Sequence, residues 1–381
     1  MAEKLERDIA LLREKLAAVS GRRLKMLVGV DGFVDEILHI VDTRQDFENY
    51  TRVTHIADLG QRIVKAAGLS ANIEMVPIQM KLGGNGPIFA NALLEYGVEL
   101  TYVGALGKPD VHAVFTPMTK KCAGVYSISG PGYTNALEFE DGKLMLGKIT
   151  SLNEITWPNF RDSLGGAEKL AEMIAESQLF GMENWTMVPH MSDIWEGLIA
   201  EVFPLLGRPG EKPIAFFDLA DPEKRTNADV LHAMELIGKF EECFRSILGL
   251  NEKELFEIAD VYGIEYDKAA PRDRLLRDTA TAVYGRLGIY CLVVHPTKEA
   301  LACLGGEYFH TFGPYCEKPK LTTGAGDNFN SGFCLGQALG LDPQSSLVLG
   351  AATSGYYVRS AKSPELSSIL EFLTDWENGA V

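Results

Sequence analysis

The segment T-T-G-A-G-D-N-F-N-S-G-F, residues 322–333, combines a glycine turn with a carboxylate at the start of an expected helix. Gly324, Ala325 and Gly326 are small enough for backbone N–H groups to converge on an anion, and the positive end of the helix dipole favours negative charge at the same place. Asp327 could accept the proton of a hydroxyl that attacks phosphorus. An N-capping aspartate after a glycine turn is the structural alternative.

Two further segments carry side chains suited to holding a polyol. V-D-G-F-V-D, residues 30–35, places Asp35 behind an expected strand, and K-L-G-G-N-G, residues 81–86, offers Gly84 and Asn85. Carboxylate and amide groups form hydrogen bonds with hydroxyls, and glycine lets a substrate approach the backbone closely. As alternatives, Asp35 could be an exposed charge on an outer strand, and Asn85 an ordinary turn residue.

Three other positions could serve either chemistry or structure. Glu254 follows Asn251 at the end of an expected strand, where it could organise a metal or simply be a first-turn acid of the next helix. His295 also ends a strand and could contact a nucleotide, or it could be a structural histidine. Arg225, in D-P-E-K-R, could be a structural ion-pair residue.

These residues need a scaffold, and the hydrophobic pattern predicts one of alternating strands and helices. Short apolar runs typical of buried parallel strands occur at 25–30, 100–106, 185–190, 213–219, 245–251 and 289–295. Helical stretches separate most of them, at 54–67, 86–96, 166–178, 192–202, 227–243, 252–262 and 271–287. This alternation predicts an α/β fold with a mostly parallel sheet between two layers of helices.

Three segments outside this rhythm predict a small second sheet. Residues 34–42 and 73–82 alternate apolar and polar side chains, as half-exposed strands do. Residues 134–146 alternate in the same way and contain an Asp-Gly pair typical of hairpin turns. At the start of the chain, residues 3–19 have helical periodicity and predict an accessory amphipathic helix.

The composition excludes several classes of protein. Lys and Arg number 36 against 52 Asp and Glu, so the 381-residue chain has a formal net charge of −16, which disfavours nucleic acid and membrane surfaces as partners. No apolar run approaches the ~18 residues of a membrane span, and the charged first segment lacks the apolar stretch of a signal peptide. The six cysteines form no CxxC pair, which indicates reduced thiols, no structural zinc and a cytoplasmic location.

The 322–333 segment resembles the C-terminal signature of the PfkB-type, or ribokinase-like, carbohydrate kinases. Residues 81–107, which contain K-L-G-G-N-G-P-I-F-A-N-A-L-L-E-Y-G and Y-V-G-A-L-G, resemble the N-terminal signature of that family. V-D-G-F-V-D resembles the end of the first strand of that family, and N-E-K-E at 251–254 resembles its N-x-x-E motif. A weaker resemblance is that of D-P-E-K-R to a family motif that follows a buried strand. Order and spacing hold from about residue 25 to residue 360, nearly the whole chain.

The resemblance implies a three-layer α/β/α ribokinase-like fold with a small β-sheet lid. An accessory helix in residues 1–24 would precede a single domain of residues 25–381, with lid segments at about 34–45, 73–82 and 124–149. The implied activity is transfer of the γ-phosphoryl group of MgATP to a hydroxyl of a carbohydrate or sugar-like alcohol, with Asp327 as base. A nucleoside kinase of the same fold and a non-catalytic ligand-binding or sensing member are the alternatives.

The same resemblance assigns the site residues. The acceptor would be held by Asp31, Asp35, Gly83, Gly84 and Asn85, and catalysis would involve Gly324, Ala325, Gly326 and Asp327. The nucleotide would contact Asn251, Glu254, His295, Thr297, Thr323, Gly324 and Gly326, with Glu254 holding Mg²⁺ through water. An exposed lid edge would permit a homodimer through strand addition.

Four positions depart from the family pattern and indicate a divergent branch. Leu321 stands where an aspartate commonly helps to hold a monovalent cation, so potassium activation is not expected. The nucleotide strand usually ends in T-x-G-x-x-G but here continues as H-P-T-K-E-A at 295–300, so ATP is expected from the family rather than from this loop. Ile88 replaces a usual asparagine and Val30 a common glycine. The sequence names neither the sugar, its phosphorylated hydroxyl nor the oligomeric state.

Overall fold

A computed structural model describes residues 2–19, 21–207 and 210–381 of the chain. Its strands are β1 (Lys25–Val30), β2 (Phe33–Arg44), β3 (Tyr50–Arg52), β4 (Met75–Gly83), β5 (Glu99–Gly104), β6 (Gly124–Ser127), β7 (Gly132–Glu138), β8 (Lys143–Lys148), β9 (Leu179–Met182), β10 (Ile214–Asp218), β11 (Arg245–Leu250), β12 (Cys291–Val294), β13 (Glu299–Leu304) and β14 (Glu307–Phe312).

The α-helices fall mainly between these strands and at the two ends of the chain. They are α1 (Ala2–Val19), α2 (Ile56–Lys65), α3 (Asn85–Glu95), α4 (Thr116–Thr119), α5 (Trp157–Ser163), α6 (Ala167–Ala175), α7 (Met191–Gly197), α8 (Phe203–Leu206), α9 (Asn227–Lys239), α10 (Glu252–Val261), α11 (Arg272–Leu287), α12 (Ala325–Ala338), α13 (Pro343–Ser360) and α14 (Leu366–Glu377).

A nine-stranded sheet forms the centre of the molecule, in the order β14-β13-β12-β11-β10-β9-β1-β5-β6. The strands from β12 to β6 are parallel, and β13 and β14 are added as an antiparallel hairpin at one edge. Because the parallel strands all end at the same edge, the residues that follow β1, β9 and β10 are neighbours in space. That edge is where open α/β sheets place their ligands.

Helices cover both faces of the large sheet and bury alternate side chains of each strand. In β1, Met26 and Val28 pack into the hydrophobic cluster beneath α1, α3, α12, α13 and α14. Leu27 between them packs into the opposite cluster, which includes residues of α6, α7, α9, α10 and α11. Near-continuous hydrophobic runs such as 25–30 therefore read as strands buried on both faces. The expected α/β fold with a mostly parallel sheet is confirmed.

A smaller, curled sheet lies outside the main one, in the order β3-β2-β7-β8, with β4 also paired to β2. The β2–β7 pair is parallel and the other pairs are antiparallel. Leu38, Ile40 and Leu137 of this sheet form a separate hydrophobic cluster with Leu59 of α2. This second sheet contains the three segments that the sequence singled out by their alternation.

Two details of the sequence prediction are wrong. Residues 185–190 are not a strand: the strand is the shorter β9, and Asn184, with φ 65°, turns the chain out of the sheet before that apolar run begins. The third lid segment is shorter than expected, because residues 124–127 form β6 at the edge of the large sheet and the small sheet resumes only at Gly132. The β13–β14 hairpin was not predicted, although Gly305-Gly306, both with positive φ, is a hairpin-turn signal.

Among residues 2–19, 21–207 and 210–381, none of the helices combines the length and apolar character that crossing a bilayer requires.

The first helix is packed onto the body of the protein. Ile9, Leu12 and Leu16 are buried in the same cluster as α13 and α14, while Leu11 remains 41% exposed. Arg13 forms an ion pair with Glu377 at 2.6 Å, at the other end of the chain. The helix therefore contributes to the core instead of lying loosely on it.

We predict that Leu12→Ala lowers the free energy of unfolding by about 2–5 kcal/mol, because it leaves a cavity in a closed cluster. Leu11→Ala, one position away and exposed, is the matched control and should change it by less than about 0.5 kcal/mol. Urea denaturation of both variants measures the difference. Equal, small effects would mean that α1 does not belong to the cooperative core.

Candidate active site

The glycine turn predicted from the sequence opens α12, a largely buried helix of the site. Gly324 is the N-cap residue of α12, with φ 90°, a conformation that glycine adopts without strain. A Cβ atom on Gly326 would lie 2.9 Å from the His295 ring, so this position also needs a residue without a side chain. The first N–H groups of a helix lack partners within it, and the start of α12, at the carboxyl edge of the sheet, is therefore suited to an anion.

Asp327 lies in the first turn of α12 and is buried. The Asn85 side chain, at the start of α3, donates a hydrogen bond to Asp327 Oδ1 at 3.0 Å. Burial, together with the nearby charge of Asp31, raises the pKa of the Asp327 carboxyl to about 8, in spite of the lowering effect of the Asn85 hydrogen bond. Asp327 is therefore a carboxyl group that exchanges its proton near neutral pH, as a general base requires.

Asp31, directly after β1, ties three elements together. Its Oδ2 accepts hydrogen bonds from the Asn184 side chain at 2.6 Å and from Asn85 N at 3.1 Å, and its Oδ1 accepts one from Gly86 N at 2.9 Å. Burial raises its pKa to about 6 in spite of these donors. The family resemblance assigns Asp31 to the acceptor, and in this structure both of its oxygens also accept hydrogen bonds from the protein, through which Asp31 positions the start of α3 and with it Asn85.

The two glycines before α3 pass very close to carboxylates. A Cβ atom on Gly83 would lie 2.4 Å from the Asp35 carboxylate, and one on Gly84, with φ 93°, would lie 2.8 Å from Asp31 Oδ2. Asp35 is on β2 of the small sheet, opposite Lys81 of β4, and burial raises its pKa. The Gly-Gly pair thus lets Asp35 of the small sheet and Asp31, which follows β1, both lie next to the turn between β4 and α3.

Sequence reasoning missed two acidic residues, Glu183 and Asp218. Glu183 directly follows β9, and Asp218 is the last residue of β10. One carboxylate oxygen from each of Glu183, Asp218 and Asp327 lies within 4.8 Å of the other two. Asn330 of α12 donates to Asp218 Oδ2 at 3.2 Å, whereas neither Glu183 oxygen has a hydrogen-bond partner within the described part of the chain. An acid immediately after a buried strand, as in F-G-M-E and F-F-D, was the available signal.

This crowding changes the charge of the cluster. Glu183 is fully buried, and burial raises its pKa well above the ordinary value of 4.5, with the charges of Asp218 and Asp327 adding to the effect. The pKa of Asp218 is raised for the same reasons, with Glu254 as the largest charge contribution. In this arrangement the carboxyl groups cannot all ionise together at neutral pH. The cluster holds protons, or it accepts a cation or hydroxyl donors from outside.

Asn251 and Glu254 form a capping box at the start of α10. Asn251 Oδ1 accepts from Glu254 N at 3.0 Å, Glu254 Oε2 accepts from Asn251 N at 2.8 Å, and Glu254 Oε1 accepts from Asp221 N at 2.9 Å. Burial raises the pKa of Glu254. The sequence assigned both residues to nucleotide and magnesium, and the structure places them in a cap beside Asp218. Carboxylate oxygens that repel each other fit a hard divalent cation, whose charge would relieve that repulsion.

A cavity of about 280 Å³ lies on the other side of the α12 N-terminus, between the 295–300 segment and α13. His295, Thr297 and Gly326 line it, together with the small residues Ala351 and Gly355 of α13. Burial lowers the pKa of His295 to about 4, so this imidazole is neutral. Thr323 contributes its carbonyl oxygen to a hydrogen bond from the Tyr357 hydroxyl at 2.8 Å. A planar, largely apolar group fits this cavity, with its anionic end toward α12.

The site residues predicted from the sequence thus come together around the start of α12. Hydrogen bonds link Asn85 directly to Asp327 and to Asp31. The cap formed by Asn251 and Glu254 lies near this group, since the charge of Glu254 raises the pKa of Asp218. Arg225 lies apart from this group: its guanidinium donates to backbone carbonyls of residues 185–189 and stacks on Trp185 at 4.9 Å. Its contacts are structural, but they are made with backbone carbonyls and the Trp185 ring instead of with the ion-pair partner that the sequence suggested.

Comparison with known proteins places the chain among sugar kinases. A family model described as prokaryotic ketohexokinase matches residues 1–376. Ketohexokinase of Haloferax volcanii is 29% identical over 356 residues, which cover 92% of this chain and 91% of that protein. Among solved structures, Thermotoga maritima ribokinase has a TM-score of 0.62 and 16% identity, covering 93% of this chain and all of that one. Arabidopsis thaliana ribokinase, solved with ribose and ATP, has a TM-score of 0.61 and 16% identity over 92% and 98% of the two chains.

These matches confirm the resemblance to PfkB-type carbohydrate kinases that the motifs indicated, and they confirm the ribokinase-like fold. The family model spans residues 1–376, which include the small sheet and the first helix.

We predict that Glu183→Gln stabilises the protein relative to wild type by an amount that grows with pH. The folded wild type keeps a proton on Glu183, whereas the unfolded chain releases it above the ordinary pKa of 4.5, so wild-type stability falls as pH rises toward the raised folded pKa. Between pH 5 and 8 the difference in free energy of unfolding should grow by up to about 1.4 kcal/mol per pH unit.

Urea denaturation at several pH values measures this difference. Glu154→Gln, at an exposed glutamate, is the matched control and should follow the wild-type curve. Parallel stability curves for wild type and Glu183→Gln would mean that Glu183 does not hold a proton in the folded protein.

Proposed function

The chain belongs to the prokaryotic ketohexokinase family, and from that membership we propose that it transfers the γ-phosphoryl group of MgATP to a hydroxyl of a ketohexose. The observation that carries this proposal is Asp327, a buried carboxyl group in the first turn of α12 that lies between the cavity of the 295–300 segment and the carboxylates at the end of β9 and β10. One side suits a nucleotide and the other a polyhydroxylated acceptor.

Asp327 would act as the base. As the acceptor hydroxyl attacks phosphorus, its proton passes to the ionised Asp327 carboxylate, and Asn85 keeps that carboxylate oriented through its 3.0 Å hydrogen bond. The N–H groups at the start of α12 face the phosphoryl group that is being transferred and stabilise the charge on its oxygens. Gly324 and Gly326 allow the phosphoryl group to approach these N–H groups closely.

The acceptor would lie against the small sheet and the ends of β1 and β9. Glu183 offers two buried oxygens without partners in the described residues, and the hydroxyls of a sugar would satisfy them. Asp35 on β2 is buried next to Gly83 and can accept further hydroxyls from the lid side. Because the acceptor's alcohol competes with water for the phosphoryl group, enclosure by the lid is part of the chemistry.

The donor would place its base and ribose in the 280 Å³ cavity, between His295 and the small residues of α13. Asp218 and Glu254 would hold magnesium, with Glu254 acting through water because its oxygens already accept two backbone N–H groups. The metal would neutralise phosphate charge and fix the geometry of the phosphates. Thr297 lines the same cavity and would contact the nucleotide.

The test is ADP release from MgATP with a panel of ketohexoses, aldohexoses, pentoses and nucleosides. Ketohexoses should be the preferred acceptors, and Asp327→Asn should lower kcat by about a thousandfold or more, because it removes the base without changing the size of the side chain. Nucleotide affinity of this variant, measured by calorimetry, should stay within about twofold of wild type.

The panel also separates the alternatives left by the sequence. Preference for a nucleoside would show that the acceptor is a nucleoside and not a ketohexose. Activity that survives Asp327→Asn would contradict the role of Asp327. Binding of nucleotide and sugar with no turnover of any acceptor would support a non-catalytic ligand-binding protein.

The pKa of Asp327 gives a second prediction, the pH dependence of the reaction. Because burial raises this pKa to about 8 and the base must be ionised, kcat/KM for the sugar should rise about tenfold per pH unit below pH 8 and level off above it. Initial rates from pH 5.5 to 9.5 with saturating MgATP measure this. A rate that is already constant above pH 5 would show that Asp327 ionises like an exposed carboxyl in the enzyme–MgATP complex.

A further inference from the structure

Tyr357, on α13, is the side chain that holds the peptide unit just before the glycine turn. The ring is buried, and its hydroxyl donates a hydrogen bond to the Thr323 carbonyl oxygen at 2.8 Å. A Cβ atom on Gly324 would lie 2.9 Å from this hydroxyl oxygen and 3.1 Å from the Ile88 side chain of α3. The hydroxyl therefore lies directly against the turn, and glycine at position 324 leaves room for it.

The hydrogen bond to Thr323 also sets the direction of the Gly324 N–H group. The Thr323 carbonyl and the Gly324 N–H belong to one trans peptide unit. Such a unit is planar, so its C=O and N–H point in opposite directions. With the Thr323 oxygen bound to the Tyr357 hydroxyl, the Gly324 N–H must point away from Tyr357.

The Gly324 N–H is one of the donors that the turn keeps free. The Ala325 N–H is bonded to the Thr322 carbonyl oxygen at 3.1 Å, whereas the Gly324 N–H has no acceptor within the described part of the chain. In the proposed reaction, a free N–H group at the start of α12 stabilises charge on the phosphoryl group that is being transferred. The donor that Tyr357 orients is therefore one that the chemistry can use.

The rest of the segment that leads into the turn is held without Tyr357. The Lys320 N–H donates to the Val358 carbonyl oxygen at 2.8 Å. The Arg359 guanidinium donates to the carbonyl oxygens of Pro314 at 2.8 Å and Tyr315 at 2.9 Å. Because these bonds hold residues 314–320, loss of the Tyr357 hydroxyl would free one peptide unit and leave the path of the segment in place.

The surroundings of Tyr357 keep its hydroxyl a hydrogen-bond donor. Burial is the main cause that raises the pKa of this hydroxyl, and the charges of Asp327 and Asp35 are the next. The hydroxyl therefore stays protonated over the pH range in which Asp327 titrates, and no proton passes through it. The same two charges show that Tyr357 lies near the base and near the carboxylate of the lid.

We propose that Tyr357 is a positioning residue of the phosphoryl transfer, whose hydroxyl fixes the 323–324 peptide so that the Gly324 N–H faces the phosphoryl group. This inference rests on the proposed function and adds a residue to it. The N–H group matters most in the transition state, where charge is spread over the equatorial oxygens of the phosphoryl group. A peptide unit that is free to rotate must be reoriented in each turnover, so removal of the hydroxyl lowers kcat more than it weakens binding of either substrate.

The first test is the steady-state kinetics of Tyr357→Phe, which removes the hydroxyl and keeps the ring. We expect kcat to fall about tenfold, less than the ~100-fold or more that follows loss of a whole oxyanion donor, because the N–H group itself remains. KM for MgATP and for the ketohexose should stay within about twofold of wild type. Tyr284→Phe is the matched control, since the Tyr284 hydroxyl on α11 also donates to a backbone carbonyl, that of Tyr290 at 3.3 Å, and its kcat should equal that of wild type.

Binding of a transition-state mimic gives a readout that a purely structural role would not change. The mimic is MgADP with aluminium fluoride and a ketohexose, and its affinity is compared with that of MgADP alone by calorimetry. In Tyr357→Phe the affinity for the mimic should fall about tenfold, while the affinity for MgADP alone stays within about twofold of wild type. Urea denaturation of both tyrosine variants verifies that they are folded and that each has lost a similar, small amount of stability with its hydrogen bond.

Three results would overturn the proposal. One is an unchanged kcat in Tyr357→Phe, and another is an equal loss of affinity for MgADP and for the mimic, which would indicate a general disturbance of the site. The third is the same loss of kcat in Tyr284→Phe. Absence of turnover by wild type with every acceptor of the panel would instead contradict the proposed function. The mimic would still test the turn in that case, because equal affinity in wild type and Tyr357→Phe would exclude the role of Tyr357.

Discussion

The site depends on the burial of several carboxyl groups together at the carboxyl edge of the large sheet. Strands β10, β9 and β1 are adjacent and parallel, and each leads directly into an acid: Asp218, Glu183 and Asp31. Asp327 of α12 closes the group from the helix side. The raised pKa values of these groups have one common cause, removal from water, and for Glu183, Asp218 and Asp327 the charges of neighbouring acids are the second.

Some of the surrounding elements donate hydrogen bonds to these carboxylates and are held in place by them. Asp31 is held by the Asn184 side chain and two backbone N–H groups of α3, so its charge fixes the start of that helix and thereby the position of Asn85. Glu183 receives no such compensation within the described residues. A buried acid without partners is unfavourable unless it is protonated, accepts hydrogen bonds from hydroxyl groups or contacts a cation. A sugar supplies hydroxyls, and magnesium supplies positive charge, which connects the fold of the apoprotein to its proposed reactants.

Much of this arrangement could be predicted from the sequence, because it follows from local rules. The hydrophobic runs gave the parallel strands, and the glycine turn before Asp327 gave the start of α12, since only glycine adopts φ 90° there freely. For Glu183 and Asp218 the local signal, an acid at the end of a buried strand, does not by itself distinguish a site residue. Their significance arises from the strand order, which places residues 183, 218 and 327 together, and no local pattern encodes that proximity. The strand misplaced at 185–190 shows the same limit, because β9 is only four residues long and the longer apolar run after Asn184 packs outside the sheet.

The departure at the 295–300 segment also has a physical consequence for the donor. His295 lies over Gly326 at the positive end of α12, where a second positive charge would be unfavourable, and its pKa of about 4 keeps it neutral. Among the described residues that line the donor cavity there is no lysine or arginine. In the proposed reaction, neutralisation of the phosphate charge would therefore fall to the backbone N–H groups of the turn and to a divalent cation held by Asp218 and Glu254.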